Sequence, residues 1–261
     1  CISQKRYLNT TPQPTMKKDY SSILSALFIL GFLGLIYATM MPKWTSDEDN
    51  SLSEFSTERA FTQVKAIAQK PHFVGSQNHE VVAEYIQTEL QKLGLTTSVQ
   101  EGFTLSDWGN LVKSKNILAR IKGTDSSKKA LLLLSHYDSA PHSYSLGASD
   151  DASGVATILE GIRAFLYAKQ PQKNDIIILF SDAEELGLLG AQAFVTHHPW
   201  AKNIGLVLNF EARGSGGPSY MLLETNGKNS IWLVIFQPII HQFCFMVTFN
   251  TQKWNFRFFT L

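Results

Sequence analysis

Residues 175–190 read "DIIILFSDAEELGLLG", and five consecutive apolar residues, Ile176 to Phe180, run almost directly into two adjacent carboxylates, Glu184 and Glu185. A continuous apolar run, unlike an alternating one, marks a strand buried on both faces, as in a parallel sheet flanked by helices. Two further stretches share the pattern: "ALLLLSHYD" at 130–138 and "IGLVLNFEA" at 204–212. The doublet has a plain explanation, because acids in a first helical turn favour the positive end of the macrodipole. It also has a sharper one, in which one carboxylate serves a metal and the other a proton.

Working outward, apolar residues recur at helical spacing over 57–70 (Phe61, Val64, Ile67, Ala68) and 79–93 (Val82, Tyr85, Ile86, Leu90, Leu93). Gly94 stands where a C-cap glycine belongs, and "KPHFVGSQNH" at 70–79 reads as a loop. Short strands are expected at 95–100 and 116–122, and helices at 152–169 and over "GLLGAQAFVTHH". The alternation predicts an α/β fold: a three-layer αβα arrangement with a mixed, largely parallel central sheet, its early strands antiparallel.

With 261 residues, 44% of them hydrophobic, there is material for a sizeable core. The net charge of +1 and the lack of a basic cluster argue against a nucleic-acid partner. Cys1 and Cys244 form neither a disulfide framework nor a thiolate metal site, so any metal must be held by His and carboxylates. Ile23 to Met41 is uncharged and just long enough to span a bilayer. Lys17 and Lys18 precede it and Asp47, Glu48 and Asp49 follow, which directs the rest of the chain away from the cytoplasm. "YATMMPKW" offers no small-x-small cleavage site, so an uncleaved single-pass anchor is expected, while "MKKDYSS" at Met16 reads as a natural start.

Chemistry collects where the buried strands end. The first ends in "SHYDS" (His136, Asp138), the second in "SDAEELG" (Glu184, Glu185) and the third in "NFEARG" (Glu211). "GASDDASG" (Asp150, Asp151) leads into a helix between the first two. Singly, each has a bland reading: a satisfied polar residue, an N-cap, an edge charge. Together, one imidazole and several carboxylates at one end of a sheet suit Zn²⁺ or a similar divalent ion in an open, catalytic site. The excess of acids over the needs of one ion points to two, about 3.5–4 Å apart and sharing a carboxylate. Asp138, on the same strand face as His136, is placed to accept the other ring N–H.

In order, "SHYDS", "GASDDASGVATILEGIRAF", "IIILFSDAEELGLLGAQAF" and "LVLNFEARGSGG" resemble the di-zinc aminopeptidase family of aminopeptidase Y, bacterial leucyl aminopeptidases and glutamate carboxypeptidase II. The likeness is greatest to its membrane-anchored branch, similar to the endoplasmic reticulum metallopeptidase. The resemblance implies that His136 binds one metal, Asp150 bridges both, and a cis peptide bond joins Asp150 to Asp151. It implies further that Glu184 is the general base, Glu185 a ligand of the second metal, and Glu211 a ligand of the first. The implied reaction is hydrolysis of N-terminal peptide bonds, Glu184 taking a proton from the attacking water and returning it to the leaving amine.

The expected organisation is a cytoplasmic segment at 1–22, an anchor at 23–41, a linker at 42–54, a metallopeptidase domain at 55–225 and an atypical apolar tail at 226–261. The family's second metal takes a further His from a distant downstream loop, whereas His241 in "FQPIIHQFCF" reads as structural. The uncharged run 231–249 could be a second span, but a truncated or out-of-frame end is the preferred expectation, leaving the catalytic domain incomplete. Two other functions compete on the same fold: a binding or scaffold protein, and a glutaminyl-cyclase-like aminoacyl transferase. Side-chain preference and oligomeric state are not legible.

Overall fold

The computed structural model describes residues 20–40, 51–125, 127–212, 221–224 and 245–248. The chain divides into two units, Cys1–Met41 and Pro42–Leu261. The first contains α1 (Ser21–Met40), the one helix among the described residues long and apolar enough to cross a membrane. It starts two residues before the expected span. At 1.5 Å per residue its 20 residues reach about 30 Å, the thickness of a hydrocarbon core.

The second unit opens with α2 (Thr57–Ile67) and α3 (Gln77–Lys92). The Ser56 and Ser76 hydroxyls accept from Arg59 N and His79 N, capping the free N–H groups of the two first turns. The chain then forms β1 (Thr97–Leu105), β2 (Leu111–Ile121), β3 (Ala130–His136), α4 (Ala152–Ala168), β4 (Ile176–Ser181) and α5 (Leu189–His197). A 3₁₀ turn (Pro199–Asn203), β5 (Ile204–Asn209), β6 (Met221–Glu224) and β7 (Phe245–Thr248) complete the described elements.

The strands form one sheet in the order β1-β2-β4-β3-β5-β7-β6. Its centre, β4-β3-β5, is parallel, β2 joins β4 antiparallel, β7 joins β5 antiparallel, and β6 lies parallel to β7. The three unbroken apolar runs are thus the three central strands. Successive residues bury on opposite faces: Ile178 and Phe180 pack under α2, α3 and α4, whereas Ile177 and Leu179 pack with Phe194 of α5 and Ala201. This is the expected αβα layering, with helices on both faces of a mixed sheet.

The early strands are longer than expected. β1 and β2 make one antiparallel hairpin, in register from Thr97↔Ala119 to Leu105↔Leu111. β1 is an edge strand with no buried residue, so it carries little apolar pattern to read. Residues 245–248, inside the stretch expected as an apolar tail, are a sheet strand, while the rest of 231–249 lies outside the described residues.

At the functional end of the sheet α5 packs tightly on the loop after β4. A Cβ on Gly190 would collide with the Asp182 backbone and with Asn116 Oδ1. Gly190→Ala is therefore expected to cost about 1–3 kcal/mol, read as a lowered urea midpoint at unchanged m-value.

Candidate metal centre

At its carboxyl end β3 continues as His136-Tyr137-Asp138. The His136 ring is buried, and its Nδ1–H donates to the Asp138 main-chain carbonyl at 3.0 Å. That bond fixes the tautomer and turns Nε2 towards the acids. Nε2 lies 2.9 Å from Asp150 Oδ1, 3.7 Å from Glu211 Oε1 and 3.9 Å from Glu184 Oε2. Residues drawn from three strand ends and the loop before α4 therefore converge on one nitrogen.

The Asp138 carboxylate has a second task besides the one expected. Its Oδ1 is 3.4 Å from His136 Nδ1, and the two oxygens accept from Glu184 N at 3.0 Å and Glu185 N at 3.3 Å. Two consecutive amides on one carboxylate require the chain to turn. Ala183 supplies the bend with φ 53, and Gly187 N and Leu188 N both close on Glu184 O at 2.9 Å. The doublet is thereby lifted out of strand alternation, which would send the two side chains to opposite faces.

Asp150 and Asp151 are joined by a cis peptide bond, as the family resemblance implied. Their environments differ sharply. Asp151 is fully buried, accepts from Gly154 N at 3.1 Å as the N-cap of α4, and receives the Ser135 hydroxyl at 2.5 Å. A Cβ on Gly154 would stand 2.5 Å from that carboxylate, so the helix backbone rests directly on it. The Asp150 side chain is 50% exposed. Ligand atoms of His136, Asp151 and Glu211 also lie within 4.8 Å of one another, a trio containing Asp151 where Asp150 was expected.

Burial, reinforced by repulsion from Glu211, Asp138 and Glu185, pushes the Glu184 carboxyl up to about 7. Burial, with Asp150 as the nearest repelling charge, pushes Glu185 to about 7 as well. Burial lowers the His136 pKa, but Asp138, Asp150 and Glu211 outweigh it and hold the ring well above its ordinary value. Such mutual strain among acids is what a cation relieves. A donor set of one imidazole nitrogen with carboxylate oxygens, and no sulfur, fits zinc in an open site.

Sequence reasoning missed the layer behind the doublet. Asp182, fully buried, accepts from Ala183 N at 2.8 Å, Lys115 N at 2.8 Å and His79 Nε2 at 2.8 Å. Asn116 accepts from Asp182 N and donates to Gly190 O. These side-chain bonds take over where the β2–β4 ladder ends at Ile117↔Phe180. One sequence signal was available: His79 sits in the first turn of α3, where a cation opposes the macrodipole and needs a specific partner. His241 lies outside the described residues.

The profile of Peptidase family M28 matches residues 116–259. The vacuolar membrane protease of Candida dubliniensis is 35% identical over 244 residues, covering 84% of this chain and 26% of that protein. Its counterpart in Candida albicans is 37% identical over 171 residues, covering 65% and 20%. The chain thus spans about a quarter or less of the curated relatives it matches. Among solved structures, a Zn-dependent exopeptidase from Parabacteroides distasonis superposes with a TM-score of 0.61 at 21% identity, over 71% of each chain. Tannerella forsythia glutaminyl cyclase gives 0.59 at 25% identity, over 69% of this chain and 70% of that one.

Burial lowers the His79 pKa, but the bond to Asp182 and its charge raise it more, so the folded value exceeds 6.5. The stability this pair adds is complete below about 6.5 and is lost as pH rises through the folded value. The difference in urea-unfolding stability between wild type and His79→Gln is therefore expected to shrink as pH is raised from about 6 upward.

Proposed function

This chain belongs to peptidase family M28, and on that premise we propose that it is a membrane-anchored, zinc-dependent aminopeptidase acting on N-terminal peptide bonds. The observation that carries the proposal is the turn at the doublet. Asp138 grips the amides of Glu184 and Glu185 side by side, so two adjacent acids serve one cluster in two roles.

His136, Asp150, Glu185 and Glu211 would hold zinc, with Asp150 shared between two ions. Asp150 is preferred over Asp151 because the Asp151 carboxylate is committed to Gly154 N–H and the Ser135 hydroxyl. When bound, zinc supplies a Lewis acid that polarises the scissile carbonyl and acidifies water. Glu184 is the proton carrier. It would accept a proton at Oε2 from the attacking water and give it up to the leaving amine. Asp138 is the positioning acid that fixes where Oε2 stands.

The α1 helix would anchor the chain, with Lys17 and Lys18 on the cytoplasmic side and the peptidase unit in an organelle lumen or outside the cell. The relatives named vacuolar membrane proteases support such a setting. Peptide substrates would therefore be met on the far side of the membrane. A second reading is aminoacyl transfer of the glutaminyl-cyclase kind, favoured by the likeness to the Tannerella structure.

The test uses the purified chain in detergent, with zinc counted per chain and aminoacyl-anilide hydrolysis assayed. Glu184→Gln is expected to retain zinc and lose about 10²–10⁴-fold in kcat. Cyclisation of an N-terminal Gln peptide without anilide hydrolysis would favour the transferase. Zinc bound with neither activity would favour a binding protein.

A further inference from the structure

Behind the doublet lies a buried hydrogen-bonded network. Asp182 is wholly enclosed between the end of β4 and the start of the Ala183 turn, and its carboxylate takes three donors. Two are main-chain amides, of Ala183 and of Lys115 on β2. The third is His79 Nε2, brought from α3 across 103 residues of sequence. The His79 ring is itself held: it is 4% exposed and stacks on Tyr137 at 5.0 Å between centroids, with the planes 19° apart. The Tyr137 hydroxyl donates to Lys115 O at 2.7 Å, so the residue that clamps His79 also fixes the strand whose amide meets Asp182.

Three consecutive amides, of Ala183, Glu184 and Glu185, therefore end on two buried carboxylates, Asp182 and Asp138. Tyr137 lies between His136 and Asp138, so one tripeptide reaches the centre with its outer members and His79 with its middle one. A buried carboxylate keeps its geometry only while its donors are satisfied. Without His79, Asp182 would keep its two amides and lose its only side-chain donor among the described residues. The position is also costly for the helix, since His79 occupies the first turn of α3, where positive charge is disfavoured.

We propose that His79 is a positioning residue for the proton carrier, acting through Asp182 and the Ala183 turn to hold Glu184 and Glu185 on the cluster. The proposal rests on the peptidase reading for its kinetic consequence and on geometry alone for its structural one. Among the described residues the His79 ring bonds to Asp182 and to none of the cluster acids. It keeps a hydrogen-bonded buried acid in place, and that acid anchors the first amide of the turn.

Both consequences are measured on the full chain. Amide hydrogen exchange of the metal-free protein is expected to show residues 183–185 protected. Their exchange should quicken by about tenfold or more in His79→Ala, while the β3 and β4 amides hold. His79→Gln, whose Nε2–H can still reach Asp182, should restore the protection. At saturating zinc, His79→Ala should lower kcat by about 10–100-fold at unchanged KM, again rescued by Gln. Unchanged protection at 183–185 in His79→Ala, or loss spread evenly through β3 and β4, overturns the proposal. So does a kcat that Gln fails to rescue while protection is restored. Asp182→Asn, which keeps one acceptor oxygen, supplies the same comparison if His79→Ala does not fold. Absence of any Glu184-dependent hydrolysis in wild type sinks the peptidase reading, and the exchange measurement still decides whether His79 holds the turn.

Discussion

The arrangement depends on one carboxylate receiving two consecutive amides. Asp138 stands at the end of β3, and Glu184 and Glu185 follow β4, its parallel neighbour. Parallel strands end side by side, so a residue leaving one can hold the loop leaving the next. Hydrogen bonds to an ionised acceptor are stronger than neutral ones, and here they offset the cost of enclosing the charge. Everything the doublet can do follows from being held in a turn, with the Glu184 carboxylate 3.9 Å from the His136 imidazole.

The parallel centre of the sheet makes that hold dependable. β3 and β4 are packed on both faces, under α2, α3 and α4 on one side and α5 on the other. Strand ends in such a layer have little freedom, so acids carried on short connections inherit the rigidity of the core. Burial first, and repulsion among the clustered acids second, raise the carboxyl values of Glu184 and Glu185. A protein does not gather carboxylates this way for stability, since their mutual repulsion opposes folding until a cation joins them.

β3, β4 and β5 are legible in the sequence because double-sided burial leaves unbroken apolar runs. β1 is legible only at its start, because an exposed edge strand such as "TSVQEGFTL" needs no apolar alternation; its partner supplies its hydrogen bonds. The acids of the centre are legible for a related reason: a polar residue directly after a buried run has to be explained. Their supports are harder to see. His79 and Asp182 meet only through the fold, and neither looks unusual beside its own neighbours. The expected role of Asp138 follows from strand alternation, whereas its carboxylate is directed by a turn that alternation cannot describe.

The adjacent pair Asp150-Asp151 carries a record of two different demands. Asp151 is buried under the start of α4 and caps that helix, whereas half-exposed Asp150 faces His136. If Asp150 serves a metal as proposed, a descendant that kept the architecture but lost that chemistry could exchange the first and would have to keep the second. In any lineage sharing this loop, the first of the two letters would then track chemistry and the second foldedness. Two neighbouring codons would thus report separately on the proposed reaction and on the scaffold.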